Sequence, residues 1–542
     1  MKSIKFTNLY LFLLIFILFS LSACHKKHKT QSFIILSLND VYRANGLNNG
    51  TLGGLARVKT MRDKLIKEGK EVLVLHAGDF LQPSFSARVN QGAAMIDAMN
   101  LLDGKPNNLD RNMIVTFGNH EFDKAKMKYL PRLQQRINES DFYWLDSNIN
   151  WYHDAKLGEI SSQKMHKWII KEINGINVGL FSLTTNMAHP AYVASFDNPI
   201  EVTKHYVPFL RKQGADVVIA LTHQQLSDDK KVLQLDQRYR PDIIIGGHEH
   251  YHQLEQINNT WIVKADADAA SVAIIEVLLD KNKQTSFLPI IQELDQDIQK
   301  DRAIAQNIKN WQQKTAVKYC QKIKQTTDCL DEAYGSTKVE LIAEESEIRR
   351  FETNLADFIA DTALAEFKLC QADAALINSG SIRLNYNIAA NNNITRKHIE
   401  GMFPYPSNLK LIQINGKTLK QMLNHAIDRW TANGHWLMVA GIRFVHNPTK
   451  QAVSHLVTSS DQTVIADDQM LKIVVPNYLI DAHTDHDGYS MIDASMVIEC
   501  NKNGSSLKNL LINRIKNTPL GIAPQKDGRI CNTLRQRCEA EK

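Results

Sequence analysis

From residue 33 to residue 266 the chain repeats one pattern, a short β-branched run followed by a polar or amphipathic stretch. The runs are FIILSLND (33–40), EVLVLHAGD (71–79), MIVTFGNH (113–120), VGLFSLTT (178–185), ADVVIALTH (215–223), PDIIIGGH (241–248) and WIVKAD (261–266). Segments such as LARVKTMRDKLIKEG (55–69) and MKYLPRLQQRI (127–137) lie between them with helical spacing. Strands alternating with helices predict an α/β layered domain with largely parallel strands. Five of the runs end in Asp, Asn or His: Asn39-Asp40, Gly78-Asp79, Gly118-Asn119-His120, Thr222-His223 and Gly247-His248-Glu249-His250. One such residue is an ordinary helix cap. Five together point to a shared site, because ligands of α/β folds gather outside the carboxyl ends of the strands. Carboxylate, amide and imidazole donors suit Zn, Mn or Fe, and a carboxylate able to bridge suits a two-metal site.

The stretch HEHYH (248–252) also matches the H-E-x-x-H pattern of zinc proteases. That pattern works only on a helix, where histidines four apart share a face. Here Ile243, Ile244 and Ile245 run into Gly246 and Gly247, which reads as a buried strand opening into a loop. The protease reading lacks its structural context.

Residues 297–317 (DIQKDRAIAQNIKNWQQKTAV) read as a long polar helix. Beyond it ALINSGSIR (375–383), LKLIQING (409–416) and LKIVVPNYLI (471–480) belong to a second globular region. The expected organisation is a leader (1–24), a tether (25–31), a first domain (32–296), a helix and Cys-bearing connector (297–333) and a second domain (334–542). The leader has Lys2 and Lys5 before an apolar run, then LSAC, which resembles a bacterial lipobox with Cys24 as the lipidated residue. An exported lipoprotein is expected, facing the periplasm or the cell exterior and touching the membrane only through its anchor. A net charge of +6 is too mild and too evenly spread to argue for nucleic acid. Six further cysteines in an exported chain favour disulfides. Of the fifteen pairings that six cysteines allow, the simplest is Cys320–Cys329, Cys531–Cys538 and Cys370–Cys500; buried free thiols are the other reading.

The motifs GDF (78–80), GNHEFD (118–123), TH (222–223) and GGHEH (246–250) together resemble those of calcineurin-like metallophosphoesterases. RRFETNLADFIAD (349–361), NSGSIR (378–383), FPYPSNL (403–409) and DHDGY (485–489) resemble the C-terminal domain of the bacterial and animal 5′-nucleotidase family. The resemblance implies a four-layer α/β metallophosphoesterase domain joined by a helix to a second α/β, nucleotide-binding domain. It implies two divalent ions, Zn, Mn or similar, with Asp79 bridging them. Asp40 and His250 would serve one ion; Asn119, His223 and His248 would serve the other. His120 with Asp123 would be the catalytic dyad. Tyr405 and Tyr478 would hold the base, with Arg349, Asn378, Arg383 and Asp487 contacting the rest of the nucleotide. His76 and His252 read as packing or surface groups.

The chain departs from the family in two places. Tyr42 stands where the family has the histidine of Asp-x-His, and a tyrosine binds a metal only as phenolate. The segment YLIDAHTDHDGY also lacks the family's double glycine. The expected activity is hydrolysis of nucleotides to release phosphate, by a monomer. Within enzymes the alternatives are a nucleotide-sugar or dinucleotide pyrophosphohydrolase and a cyclic-nucleotide phosphodiesterase. From another class, Tyr42 favours a non-catalytic nucleotide-binding surface lipoprotein.

Overall fold

The computed structural model describes residues 31–428, 430, 434–481 and 486–538. The leader, Cys24 and nearly all of the tether lie outside the described residues. Among the described residues no helix is long and apolar enough to cross a membrane.

Two sheets form the N-terminal domain. The first has seven strands, with Gln31–Leu38, Val72–His76, Met113–Thr116, Tyr143–Leu145 and Met165–His166 parallel in that order. Ser271–Leu279 adds antiparallel to Gln31–Leu38, and Thr285–Glu293 adds beyond it. The second sheet has six strands around a parallel core of Ile176–Thr184, Val217–His223, Ile243–Gly246 and Thr260–Lys264.

The side-chain period of two decides how these sheets stack. Phe33, Ile35, Leu73, Leu75 and Ile114 pack against Val178, Leu180, Ile219, Leu221 and Ile245 in one core between the sheets. Their neighbours Ile34, Leu36, Val74 and Val115 face the other way, onto a core with Leu55, Met61, Ile96 and Leu133 from the flanking helices. Val218, Ala220 and Ile244 likewise pack outward with Val207 and Leu210. The result is four layers, helix on sheet on sheet on helix. The central strands of both sheets are covered on both faces, which explains why they read as continuous apolar runs.

The long helix runs from Arg302 to Lys322, several residues later than residues 297–317. The Asp301 side chain accepts from the Ile304 N–H at 2.9 Å and sets the start. This helix belongs to the first domain by packing: Ile304 and Ile308 enter its core, and Asn307 and Trp311 both donate to Asp97. The C-terminal domain is built on a four-stranded sheet in the order Leu409–Asn415, Met470–Pro476, Ala374–Asn378, Leu437–Ala440. Helices Asn354–Glu366 and Leu507–Lys516 cover one face, and Gly416–Ile427 covers the other. Three disulfides join Cys320 to Cys329, Cys370 to Cys500 and Cys531 to Cys538.

Candidate metal centre at the domain interface

The strand ends carry backbone as well as side-chain information. Asp40, Asp79 and His248 all have left-handed φ, at 53°, 62° and 85°. Such positions cost on the order of 1–3 kcal/mol each and persist only where the surroundings hold them. Here the glycines make room for the turns. A Cβ on Gly118 would stand 2.2 Å from Asp79 Oδ1, and one on Gly247 would stand 2.5 Å from the Ala77 carbonyl.

Glu121 holds two of these loops together. Its buried carboxylate accepts from the N–H groups of Asp79, Phe80, Leu81 and Gly118 at 2.6–2.9 Å. Lys264, fully buried, does the same for two others. Its ammonium contacts Gln224 O, Gly247 O, Glu249 and Asp229 at 2.5–2.9 Å. Neither residue was expected from the motifs, although a lysine inside the apolar run WIVKAD and a glutamate inside GNHEFD are the signals that mark them.

The clamped loops bring together two donor sets that share Asp79. In the first, His223 Nε2 lies 3.2 Å from Asp79 Oδ2 and 3.1 Å from Asn119 Oδ1, and His248 Nδ1 lies 3.2 Å from the same Asn119 oxygen. The other His223 nitrogen, Nδ1, donates to the Ala77 carbonyl at 2.7 Å, so Nε2 is the atom that faces the site. Burial alone would lower the His223 imidazole, but Asp79 and then Asp40 push it up to about 10. In the second set, His250 Nε2 is 3.6 Å from Asp40 Oδ1. The Tyr42 hydroxyl lies among this set, 3.1 Å from Asp40 Oδ1, 3.1 Å from Asp79 Oδ2 and 3.0 Å from His250 Nε2. Burial first, then Asp79 and Asp40, raise the Tyr42 phenol well above its ordinary range.

The first set offers the donors that a divalent ion prefers, a carboxylate, an amide oxygen and two imidazoles, with Asn119 Oδ1 in reach of both rings. Asp79 and His223 also lie within 4.8 Å of Asp40. The second set offers a carboxylate and an imidazole besides Asp79, with a phenol in place of a second imidazole. It is the poorer match.

His120 and Asp123 stand beside this cluster, Nδ1 to Oδ1 at 2.8 Å. The His120 backbone N–H donates to Asp79 Oδ1 at 2.7 Å, and the ring Nε2 is 3.9 Å from Asp79 Oδ2. Burial would lower this imidazole, but Asp123 and Asp79 together raise it. The Tyr405 hydroxyl donates to Asp123 at 2.6 Å, so this ring from the C-terminal domain rests on the dyad.

The remaining expected contacts assemble in the C-terminal domain. Asn378 donates to Asp487 at 2.7 Å, and the Tyr478 hydroxyl is 3.4 Å from the same carboxylate. Arg383 bonds the Gly380 carbonyl through Nε, while its own carbonyl accepts from Arg43 of the first domain. Arg349 pairs with Glu345 at 3.1 Å and lies 3.3 Å from His250 Nδ1. His76 is fully buried against Phe80, and burial pushes it down to about 3. His252 is exposed and pairs with Asp266.

Replacing Lys264 with methionine leaves Asp229 and Glu249 buried without their cation. Breaking a buried pair in this way costs about 3–5 kcal/mol. Lys264→Met is expected to lower stability by that amount in urea unfolding without added metal; a loss below 1 kcal/mol would show that the clamp does not hold the loops.

Both domains of the chain match known families. Residues 33–252 match the calcineurin-like phosphoesterase family, and residues 333–494 match the 5′-nucleotidase C-terminal domain. A trifunctional nucleotide phosphoesterase of Bacillus subtilis is 24% identical over 88% of this chain, which spans only 34% of that longer protein. The 5′-nucleotidase of Rattus norvegicus is 24% identical over 81% of this chain and 79% of its own length. The crystal structure of a 5′-nucleotidase precursor from Thermus thermophilus shares the fold with a TM-score of 0.73, at 20% identity, over 92% of this chain and 99% of that one. The chain therefore belongs to the 5′-nucleotidase family, with a calcineurin-like phosphoesterase domain followed by a 5′-nucleotidase C-terminal domain.

Proposed function

We propose that this protein releases phosphate from nucleotides at the interface of domains 32–296 and 334–542. The observation that carries the reading is the run of contacts from Asp79 through His223 and Asn119 to His248 beside the His120–Asp123 pair. Divalent ions, two if the Asp40–His250 set is also filled, supply the nucleophile and positive charge against the phosphoryl oxygens when bound. The chain's own residues do the rest. Asp123 holds a proton on His120 Nδ1, so the ring stays protonated and presents Nε2 as a donor toward the phosphate or the leaving oxygen. Arg349 and Arg383 meet phosphate charge. Asn378 and Asp487 bond the nucleoside, and Tyr405 and Tyr478 offer ring faces to the base.

Tyr405 makes this a two-part device, because its hydroxyl bonds the dyad while its ring belongs to the substrate side. The resemblance of LSAC (21–24) to a lipobox supports export and anchoring through Cys24, with the site outside the cytoplasm. Tyr42 sets the two donor sets apart and supports unequal binding of the two ions.

A panel of nucleoside mono-, di- and triphosphates, UDP-glucose and NAD, run with Mn, Zn, Co and Mg, tests the reading. Phosphate release from at least one nucleotide, abolished by EDTA, is expected; no turnover with any metal would leave the non-catalytic binding protein as the better reading. His120→Ala is expected to lower turnover by roughly 10²- to 10⁴-fold with metal content unchanged. Loss of metal in parallel would make His120 a ligand instead.

A further inference from the structure

Glu345 is a residue that no motif singled out. It lies in the C-terminal domain, at the start of the short helix Glu345–Ile348, and is 2% exposed. Its carboxylate meets His250 Nδ1 across the domain interface. The opposite nitrogen of that ring, Nε2, faces Asp40 and the Tyr42 hydroxyl.

Two groups compete for His250 Nδ1: the Glu345 carboxylate and, at 3.3 Å, the Arg349 guanidinium. A ring nitrogen cannot donate to one and accept from the other at once. The carboxylate is the nearer partner, and Arg349 already has it as an ion-pair partner at 3.1 Å. Nδ1 therefore carries the proton, and Nε2 turns its lone pair into the cluster. Histidines that ligate metals are held in this way, by a carboxylate on the far nitrogen that fixes ring and tautomer.

Glu345 is itself fixed from both domains. Its N–H donates to Asn385 Oδ1 at 2.9 Å, and Asn385 Nδ2 reaches Asp268 of the first domain at 3.3 Å. Asp268 in turn accepts from the backbone N–H groups of Tyr42 and Arg43, at 2.9 and 2.7 Å. The chain of contacts closes on the loop that carries Asp40.

We propose that Glu345 is a positioning residue of the metal centre, a carboxylate of the C-terminal domain that fixes His250 as a ligand. The Asp40–His250 half of the centre is then complete only when both domains contribute. This rests on the reading of His250 as a metal ligand. It adds that the domain usually assigned to substrate also sets metal affinity.

The test measures Mn²⁺ retained by the full chain against a graded chelator, with no substrate present. Glu345→Gln, which keeps the shape and removes the charge, is expected to weaken one ion by roughly 10- to 100-fold. His250→Ala should weaken the same ion, and the double variant should be no worse than His250→Ala alone. Glu345→Asp keeps the charge but draws it back from the ring, and an intermediate loss is expected. Unchanged Mn²⁺ binding in Glu345→Gln would overturn the proposal. So would an equal further loss in the His250→Ala background, because a purely structural role costs the same in both. A wild type that holds no Mn²⁺ at all would overturn the metal reading itself, and this inference with it.

Discussion

Asp79 is 1% exposed, sits at a left-handed φ, and lies where the two sheets of the first domain bring their strand ends together. Taking a carboxylate out of water is costly unless its charge is met. Its Oδ1 accepts from the His120 N–H, while Oδ2 faces His223 and the Tyr42 hydroxyl. Burial would raise this carboxyl, but His223 and His120 hold it well below the usual range. The backbone around it is fixed by Glu121, itself a second buried carboxylate that spends its charge on four N–H groups. A concentration of negative charge this deep is a strong demand for cations, and the surrounding imidazoles are the donors that such cations prefer.

The four-layer stack explains how the loops stay in place. Each loop of the candidate centre leaves a strand that is packed on both faces, so its starting point is rigid to within the packing of the core. Lys264 lies one strand over from the His248 loop and ties that loop to the end of the His223 strand. The C-terminal domain then closes on this rigid platform through Tyr405, Arg43, Asp268 and Glu345. The dyad and the Asp40–His250 set are thus each in contact with the second domain.

Most of the first domain was legible because its strands are β-branched and its turns are marked by glycine. Every apolar run became a strand, and most were shortened at the C-terminal end where the backbone bends toward the site, as at Leu38 before Asn39-Asp40; Val217–His223 keeps its last residue. The antiparallel pair Ser271–Leu279 and Thr285–Glu293 was not anticipated. Its place beside Gln31–Leu38 depends on a partner far along the chain. The start of the long helix was hidden by several acidic residues in succession, of which only Asp301 caps. Among site residues, Glu345 was invisible because it stands in the acidic stretch AEESE and meets its partner 95 positions away. Tyr405 was legible as an aromatic of the second domain, but its hydroxyl contact with Asp123, 282 positions away, needed the fold. The Tyr42 departure was plain in the sequence, and its consequence was not. Only the structure puts the hydroxyl within 3.1 Å of Asp40, Asp79 and His250 together.

The buried charge of Asp79 is the feature that calls most strongly for a metal ion. Anomalous diffraction from crystals of the full chain grown with Mn²⁺ tests it most directly. A peak is expected within bonding distance of Asp79, Asn119, His223 and His248, stronger than any peak between Asp79, Asp40 and His250. An anomalous map with no peak in contact with Asp79 would contradict it.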